Sequence, residues 1–229
     1  KPMVKIGHKP ILWYIMKRFD LYGHRDFYLA LGYKSEVIKR YFVDFNILNS
    51  NFTVDLKDGS LTNLEHGENW KVSLVNTGLN TMTGGRLKKM KDFVGNEPFL
   101  LTYGDGVSNI NINELINFHK SHGKLVTITA VHPIARFGEL QMQGNLVEKF
   151  AEKPQTFQGW VNGGFFVMEP EVFDYIDDSD ETVLEKKPLE NIAKNGQLVG
   201  FKYEGFWQCM DTKRDKDNLE KFFKKGKFF

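Results

Sequence analysis

PFLLTYGDGV, Pro98 to Val107, is the stretch on which the fold turns. A short, continuous apolar run ends in an aspartate with a glycine on either side. A run of that length, closed by turn residues, reads as a buried strand. Such strands belong to open α/β sheets, whose ligands gather at the carboxyl ends of the strands. Gly104 and Gly106 let the backbone turn sharply and leave the Asp105 carboxylate accessible. A plain Asp-Gly turn explains the same letters. The position after a central strand favours the functional reading.

Outward from this stretch, hydrophobic periodicity alternates between helix and strand. Ile11 to Phe19 carries a helical face of Ile11, Leu12, Ile15, Met16 and Phe19. FYLALGY (Phe27 to Tyr33) reads as a short strand, and SEVIKRYFVDF (Ser35 to Phe45) as a helix opened by a Ser cap. FTVDL and WKVSLV read as strands, RLKKMKDFV and INELINFHKSHG as helices, and LVTITAV as a β-branched strand. Such alternation predicts parallel strands with crossover helices. The second half changes character. ELQMQGNLVEKF predicts a hairpin turning at Gly144-Asn145, followed by the strand GWVNGGFFVM. The helical stretches ETVLEKKPLENIAKNG and TKRDKDNLEKFFKKG flank a strand, LVGFKY. The expected architecture is α/β, a mixed and mostly parallel central sheet flanked by helices with an added small β layer. Without repeats, linkers or a composition break, residues 1–229 read as one domain.

Composition sets outer bounds. The 229 residues are 41% hydrophobic, enough for one large core or two domains at most. Lys plus Arg number 31 against 29 Asp plus Glu, a balance too even to carry a nucleic-acid footprint. No apolar run approaches the ~18 residues of a membrane span. The single cysteine, Cys209, cannot form an internal disulfide, and a reducing, cytoplasmic setting is expected. Covalent catalysis by Cys209 has no support, since no His or Lys partner can be placed beside it. His119 and His122, near the end of a helix, read as solvated rather than metal-binding.

Other constellations stay open on their letters alone. TMTGGRLKKM (Thr81 to Met90) fits a helix start capped by Thr83, or a loop whose backbone comes close to a ligand. EKP (Glu152 to Pro154) is read most simply as an exposed acid–base pair before a strand-ending proline. VNGGFFVM (Val161 to Met168) puts Asn162 and two glycines at a strand start, which suits either ligand approach or a bulge. Asp211, just before a charged helix, is read most simply as an N-cap.

Taken together, KPMVKIGHKPILWYIM, TGLNTMTGGRLKKM, LLTYGDGV, FGEL, FAEKP, VNGGFFV and GFWQCMDTKRDK occur in the order found in sugar-1-phosphate nucleotidyltransferases. The chain resembles that family over essentially its whole length. The TGGRL segment and the GFWQxMDT ending resemble its glucose-1-phosphate cytidylyltransferase branch. The family's glycine-rich loop, of the form GGxGTR, is not in the sequence as it stands. It is expected to precede Lys1, which sits where the family continues after that loop.

The resemblance implies a Rossmann-like nucleotidyltransferase fold and the transfer of a cytidylyl group from CTP to glucose 1-phosphate, with Mg2+ as cofactor. It implies that Lys1 contacts the nucleotide phosphates, with Gly104 beside the nucleotide. Thr81, Gly85 and Arg86 would surround the pyrimidine, and Asp105 and Asp211 would hold the metal. Gly138, Glu152, Lys153 and Asn162 would grip the sugar phosphate. A homo-oligomer, by kinship a hexamer, and a place in the biosynthesis of lipopolysaccharide O-antigen are implied too. The rival readings are a sister enzyme using UTP or dTTP, a glycosyltransferase, and an inactive nucleotide-binding homologue. A glycosyltransferase usually clusters its metal acids as Asp-x-Asp, and Asp105 has no acidic neighbour within two positions.

Overall fold

The computed structural model describes residues 1–62, 67–133, 139–151 and 159–228, and for 139–142 and 149–151 the strand backbone alone. The chain divides into two compact units. The first comprises Lys1–Arg18, Asn96–Val172 and Ile192–Phe229, and the second Phe19–Gly95 and Phe173–Asn191.

A four-stranded sheet organises the first unit, in the order Leu198–Tyr203, Val126–Val131, Val161–Met168, Phe99–Thr102. Leu198–Tyr203 runs parallel to Val126–Val131. Val161–Met168 lies antiparallel to both of its neighbours. Three strands therefore share one direction and one runs against them, the mixed and mostly parallel sheet that the sequence pattern implies. The β-branched run VTITAV suits a central strand, where stiff side chains pack on both faces. Phe165, Phe166 and Met168 of the sheet are essentially buried, as are Ile112 and Leu115 of the helix that follows Gly106–Ser108. Each such side chain contributes roughly 1.5–3 kcal/mol on burial. Helix Ile112–His122 starts where Asn111 Oδ1 accepts from the backbone N–H groups of Asn113 and Glu114, and it stops at Gly123 with φ +60°. The hairpin Glu139–Gln143 to Leu146–Ala151 turns at Gly144-Asn145, as its letters suggest.

The second unit is built on a parallel pair, Asp26–Leu31 with Lys71–Asn76, in register from Asp26↔Lys71 to Leu31↔Asn76. Aromatic rings of Phe27, Phe45 and Trp70 meet edge-on or tilted around it. Helix Ser35–Val43 is entered through Lys34, in the left-handed conformation (φ +54°), so Ser35 is the first helical residue and not the cap. RLKKMKDFV does not form one helix. It divides into Thr83–Lys88 and Lys91–Val94, with the break at Lys89-Met90. ETVLEKKPLENIAKNG is helical only over Lys187–Lys194. Pro188 explains that boundary, because proline fits the first turn of a helix and not its interior. No helix among the described residues is long and apolar enough to cross a membrane.

Candidate active site

A short second ladder in the first unit brings the two sequence-predicted carboxylates together. Strand Gly106–Ser108 pairs antiparallel with Trp207–Cys209, Gly106 opposite Cys209. Beyond the ladder, the Met210 N–H donates to the Asp105 carbonyl at 2.9 Å. Asp105 and Asp211 thus lie at the same end of the ladder, next to its two paired strands. Buried Arg18 braces the far end, donating from Nε to the Ser108 carbonyl and from Nη2 to the Phe228 carbonyl.

Lys1 completes the cluster. Its Nζ lies 2.6 Å from Asp211 Oδ1 and 3.5 Å from Asp105 Oδ2. The hydrogen bond to Asp211 raises the Lys1 pKa, against a smaller opposing effect of burial, so the ammonium is charged at neutral pH. All three side chains are a third to a half exposed. Ion pairs this open contribute about 0–1 kcal/mol each, so the cluster is not explained by stability. Two carboxylates held near one cation are what a polyanionic substrate and a divalent ion require. Among the described residues no group of three or more His, Cys, Asp or Glu side chains gathers to hold a metal. Two carboxylates are nonetheless enough in number for a divalent ion of the kind that completes its shell with phosphate and water oxygens.

Asp211 is not the N-cap of the helix it precedes. Thr212 caps helix Lys213–Lys224 in a capping box with Asp215, which leaves the Asp211 carboxylate for Lys1. Cys209, whose Sγ is 3.6 Å from Asp211 Oδ2, has its pKa pushed up to about 11 by burial and then by the Asp211 charge. A thiol held protonated is no nucleophile, in line with the sequence reading. Gly104 lies against Pro2, where an added Cβ would meet the proline Cγ at 3.0 Å. Asn162 sits at the start of its strand, donating from Nδ2 to the Tyr103 hydroxyl at 3.1 Å. Gly138, Glu152 and Lys153 lie outside the described residues.

Thr81, Gly85 and Arg86 come together in the second unit. Helix Thr83–Lys88 begins at Thr83 itself, with Met82 in the cap position. The Thr83 hydroxyl instead donates to Glu185 Oε2 at 2.6 Å and accepts from the Leu184 N–H. Gly84 and Gly85 are buried against residues 179–184. A Cβ on Gly85 would lie 2.5 Å from the Ser179 carbonyl oxygen, so close packing within the unit is one demand on that glycine. Arg86 spreads its guanidinium over the preceding loop, Nη1 donating to Thr77 Oγ1 (2.6 Å) and the Gly78 carbonyl (2.8 Å), and Nη2 to the Leu79 carbonyl (3.3 Å). Buried Thr81 donates to the Thr77 carbonyl.

Sequence reasoning missed Lys89 and Asp180 in this network. Lys89 Nζ is 2.5 Å from Asp180 Oδ1 and donates to the Thr77 carbonyl, and its hydrogen bond lowers the Asp180 pKa. No local signal links positions 89 and 180, which are 91 residues apart.

The histidines correct a further expectation. His119 is buried, not solvated. Its Nδ1 faces Thr127 Oγ1 at 2.8 Å, and its Nε2 faces Glu169 Oε1 at 3.1 Å. His122 Nε2 shares the same threonine hydroxyl, and burial is the first cause that lowers the His122 pKa.

An α/β unit in which a short ladder brings two carboxylates up to a lysine suits enzymes that handle phosphate groups. The chain belongs to the nucleotidyl transferase family, whose model matches residues 1–212. It is 47% identical over 229 residues to the glucose-1-phosphate cytidylyltransferase of Salmonella typhi, a match covering 99% of this chain and 89% of that one. It is 42% identical over 226 residues to a probable glucose-1-phosphate cytidylyltransferase of Bacillus subtilis, at the same coverage. The crystal structure of HddC from Yersinia pseudotuberculosis shares the fold, with a TM-score of 0.69 at 21% identity over 97% of this chain and 89% of that one.

Proposed function

We propose that the protein transfers the cytidylyl group of CTP to α-D-glucose 1-phosphate, giving CDP-glucose and pyrophosphate. The observation that carries this reading is the convergence of Lys1 on Asp105 and Asp211, in a chain similar throughout to glucose-1-phosphate cytidylyltransferases. An oxygen of the sugar phosphate attacks the α-phosphorus of CTP, and the bond from that phosphorus to pyrophosphate breaks. A phosphate monoester, with its second pKa near ~6, is already largely a dianion at neutral pH, so no general base is needed. The protein's task is to bring two polyanions together and hold them in line.

Lys1 offsets the phosphate charge, and Asp105 and Asp211 would hold Mg2+, which when bound would supply charge neutralisation for the phosphates. Asn162, with Gly138, Glu152 and Lys153, serves the sugar phosphate. Thr81, Gly85 and Arg86 serve the cytosine end, with Gly104 beside the nucleotide. In this reading the arginine acts on the pyrimidine through the Thr77–Leu79 loop that it holds. The same reading carries a homo-oligomer, by kinship a hexamer, and light scattering measures it.

Pyrophosphate release from CTP, UTP, dTTP, ATP and GTP, each with glucose 1-phosphate and Mg2+, tests the assignment. CTP is expected to be preferred. Preference for UTP or dTTP gives the sister enzyme, and binding of CTP without turnover gives the inactive homologue.

A further inference from the structure

Strand Val161–Met168 does not pair evenly with Val126–Val131. Asn162 stands opposite Ala130 and the pairing resumes with Phe166 opposite Ile128, four steps on one strand against two on the other. Two surplus residues make a bulge, a device that re-aims a side chain at the cost of ladder hydrogen bonds. Both glycines are sterically required here. A Cβ on Gly163 would lie 2.8 Å from Val131 Cγ1, and Gly164 has φ +78° with the Tyr103 ring 2.6 Å from where its Cβ would be.

Two side chains fasten this bulge, one on strand Trp207–Cys209 and one just past the end of strand Phe99–Thr102. Trp207 Nε1 donates to the Gly163 carbonyl at 2.7 Å, replacing a ladder partner that the bulge removes. The Tyr103 hydroxyl accepts from Asn162 Nδ2 at 3.1 Å, while Asn162 Oδ1 accepts from the Gly164 N–H at 2.8 Å. Both polar ends of the asparagine are thereby fixed. Tyr103 directly precedes Gly104-Asp105, and Trp207 lies on the strand that leads to Asp211. The segments that lead to the two carboxylates are therefore the ones that hold the bulge, Tyr103 at the Asn162 side chain and Trp207 at the Gly163 backbone.

We infer that Trp207 and Tyr103 are positioning residues for the sugar-phosphate acceptor, tying the Asn162 bulge to the ladder that carries Asp105 and Asp211. This rests on the assignment of Asn162 to the sugar side. Neither residue needs to touch substrate. Tyr103 removes freedom from the Asn162 side chain and Trp207 from the backbone next to it, and supporting hydrogen bonds of this kind decide how well a site is pre-organised.

The test compares Trp207→Phe, which keeps an aromatic ring and loses the N–H, Tyr103→Phe, which loses only a hydroxyl, Asn162→Ala, and the two double variants with Asn162→Ala. KM for glucose 1-phosphate and for CTP is measured in each, with melting temperatures alongside. Each single aromatic variant is expected to raise KM for glucose 1-phosphate about fivefold, the scale set by one neutral hydrogen bond. KM for CTP stays within about twofold, and neither change adds to that of Asn162→Ala. Equal shifts in both KM values, or full additivity with Asn162→Ala, overturn the inference. If Asn162→Ala moves KM for glucose 1-phosphate and the aromatic variants do not, the inference fails alone. If Asn162→Ala itself leaves that KM unchanged, the sugar-side assignment fails and takes the inference with it. Should Trp207→Phe not fold, Tyr103→Phe decides by the same criteria.

Discussion

Replacing Gly85 by Ala sets two effects of opposite sign against each other inside helix Thr83–Lys88. Alanine favours a helix over glycine by up to about 1 kcal/mol. Against this, the new Cβ would lie 2.5 Å from the Ser179 carbonyl oxygen, 2.9 Å from Thr81 Cγ2 and 3.2 Å from Asp180 Cα. Two of those three atoms are backbone, and their segment is anchored to the same helix. The Met82 N–H donates to the Asp180 carbonyl at 2.7 Å, and the Gly85 N–H to the Thr182 carbonyl at 3.0 Å. Relief by movement therefore strains two hydrogen bonds, each worth about 0.5–1.5 kcal/mol. Overpacking alone costs about 1–3 kcal/mol. The clash wins, and Gly85→Ala is expected to lose about 1–3 kcal/mol net. Urea unfolding without nucleotide measures it, as a lowered midpoint at unchanged slope. A variant as stable as the parent refutes the packing argument. If that stable variant has also lost affinity for CTP, the glycine is there for the approach of a ligand.

Asp105→Asn should leave the melting temperature nearly unchanged while turnover falls by at least ~100-fold, the scale of losing one charge-stabilising group. Near-parental turnover in that variant, or full activity in excess chelator, removes the metal assignment. Arg86→Ala releases three hydrogen bonds on the Thr77–Leu79 loop, and the specificity ratio of CTP to UTP should fall about tenfold. An unchanged ratio makes Arg86 a purely structural clamp. Stability should also depend on pH through His24 and His122, both of which titrate below the usual histidine range because burial disfavours the charged ring. With lowered folded values, their contribution is complete above the unfolded pKa of about 6.5 and is lost as pH falls through the folded values. His122→Gln should flatten that slope in a urea series from about pH 8 to pH 5, and an unaltered slope would count against His122.

The sheet was legible because its signals are local. The run before Gly104, the β-branched VTITAV and the Gly144-Asn145 turn each specify their conformation within a few residues. Helix limits were less so. The stretch from Glu181 to Gly196 has a helical period throughout, yet Pro188 confines the helix to Lys187–Lys194. His119 was misread although a signal existed. Ile112, Leu115 and His119 stand three and then four residues apart, on the face that the helix buries. A histidine on such a face must find partners, and Thr127 and Glu169 supply them.

The candidate site was legible in proportion to how far its residue roles depend on distant chain. Asp105 stood out as a carboxylate between two glycines after a buried strand, whereas Asp211 drew its metal role from the family resemblance and on its letters alone fits a structural use. That use is a helix cap. The letters Asp211-Thr212 offer two capping residues in a row, and Asp215 stands three beyond Thr212. A threonine with an acid at that spacing forms a reciprocal box. That arrangement satisfies the helix end without Asp211, so its carboxylate turns to Lys1. The glycines of TGGRL illustrate the opposite case. Gly84 and Gly85 do signal a close approach, but what approaches is the backbone from Ser179 to Leu184, almost a hundred residues later in the chain. A glycine reports that space is short at its position. Only the fold says which neighbour takes that space, and in this unit the neighbour is the chain itself.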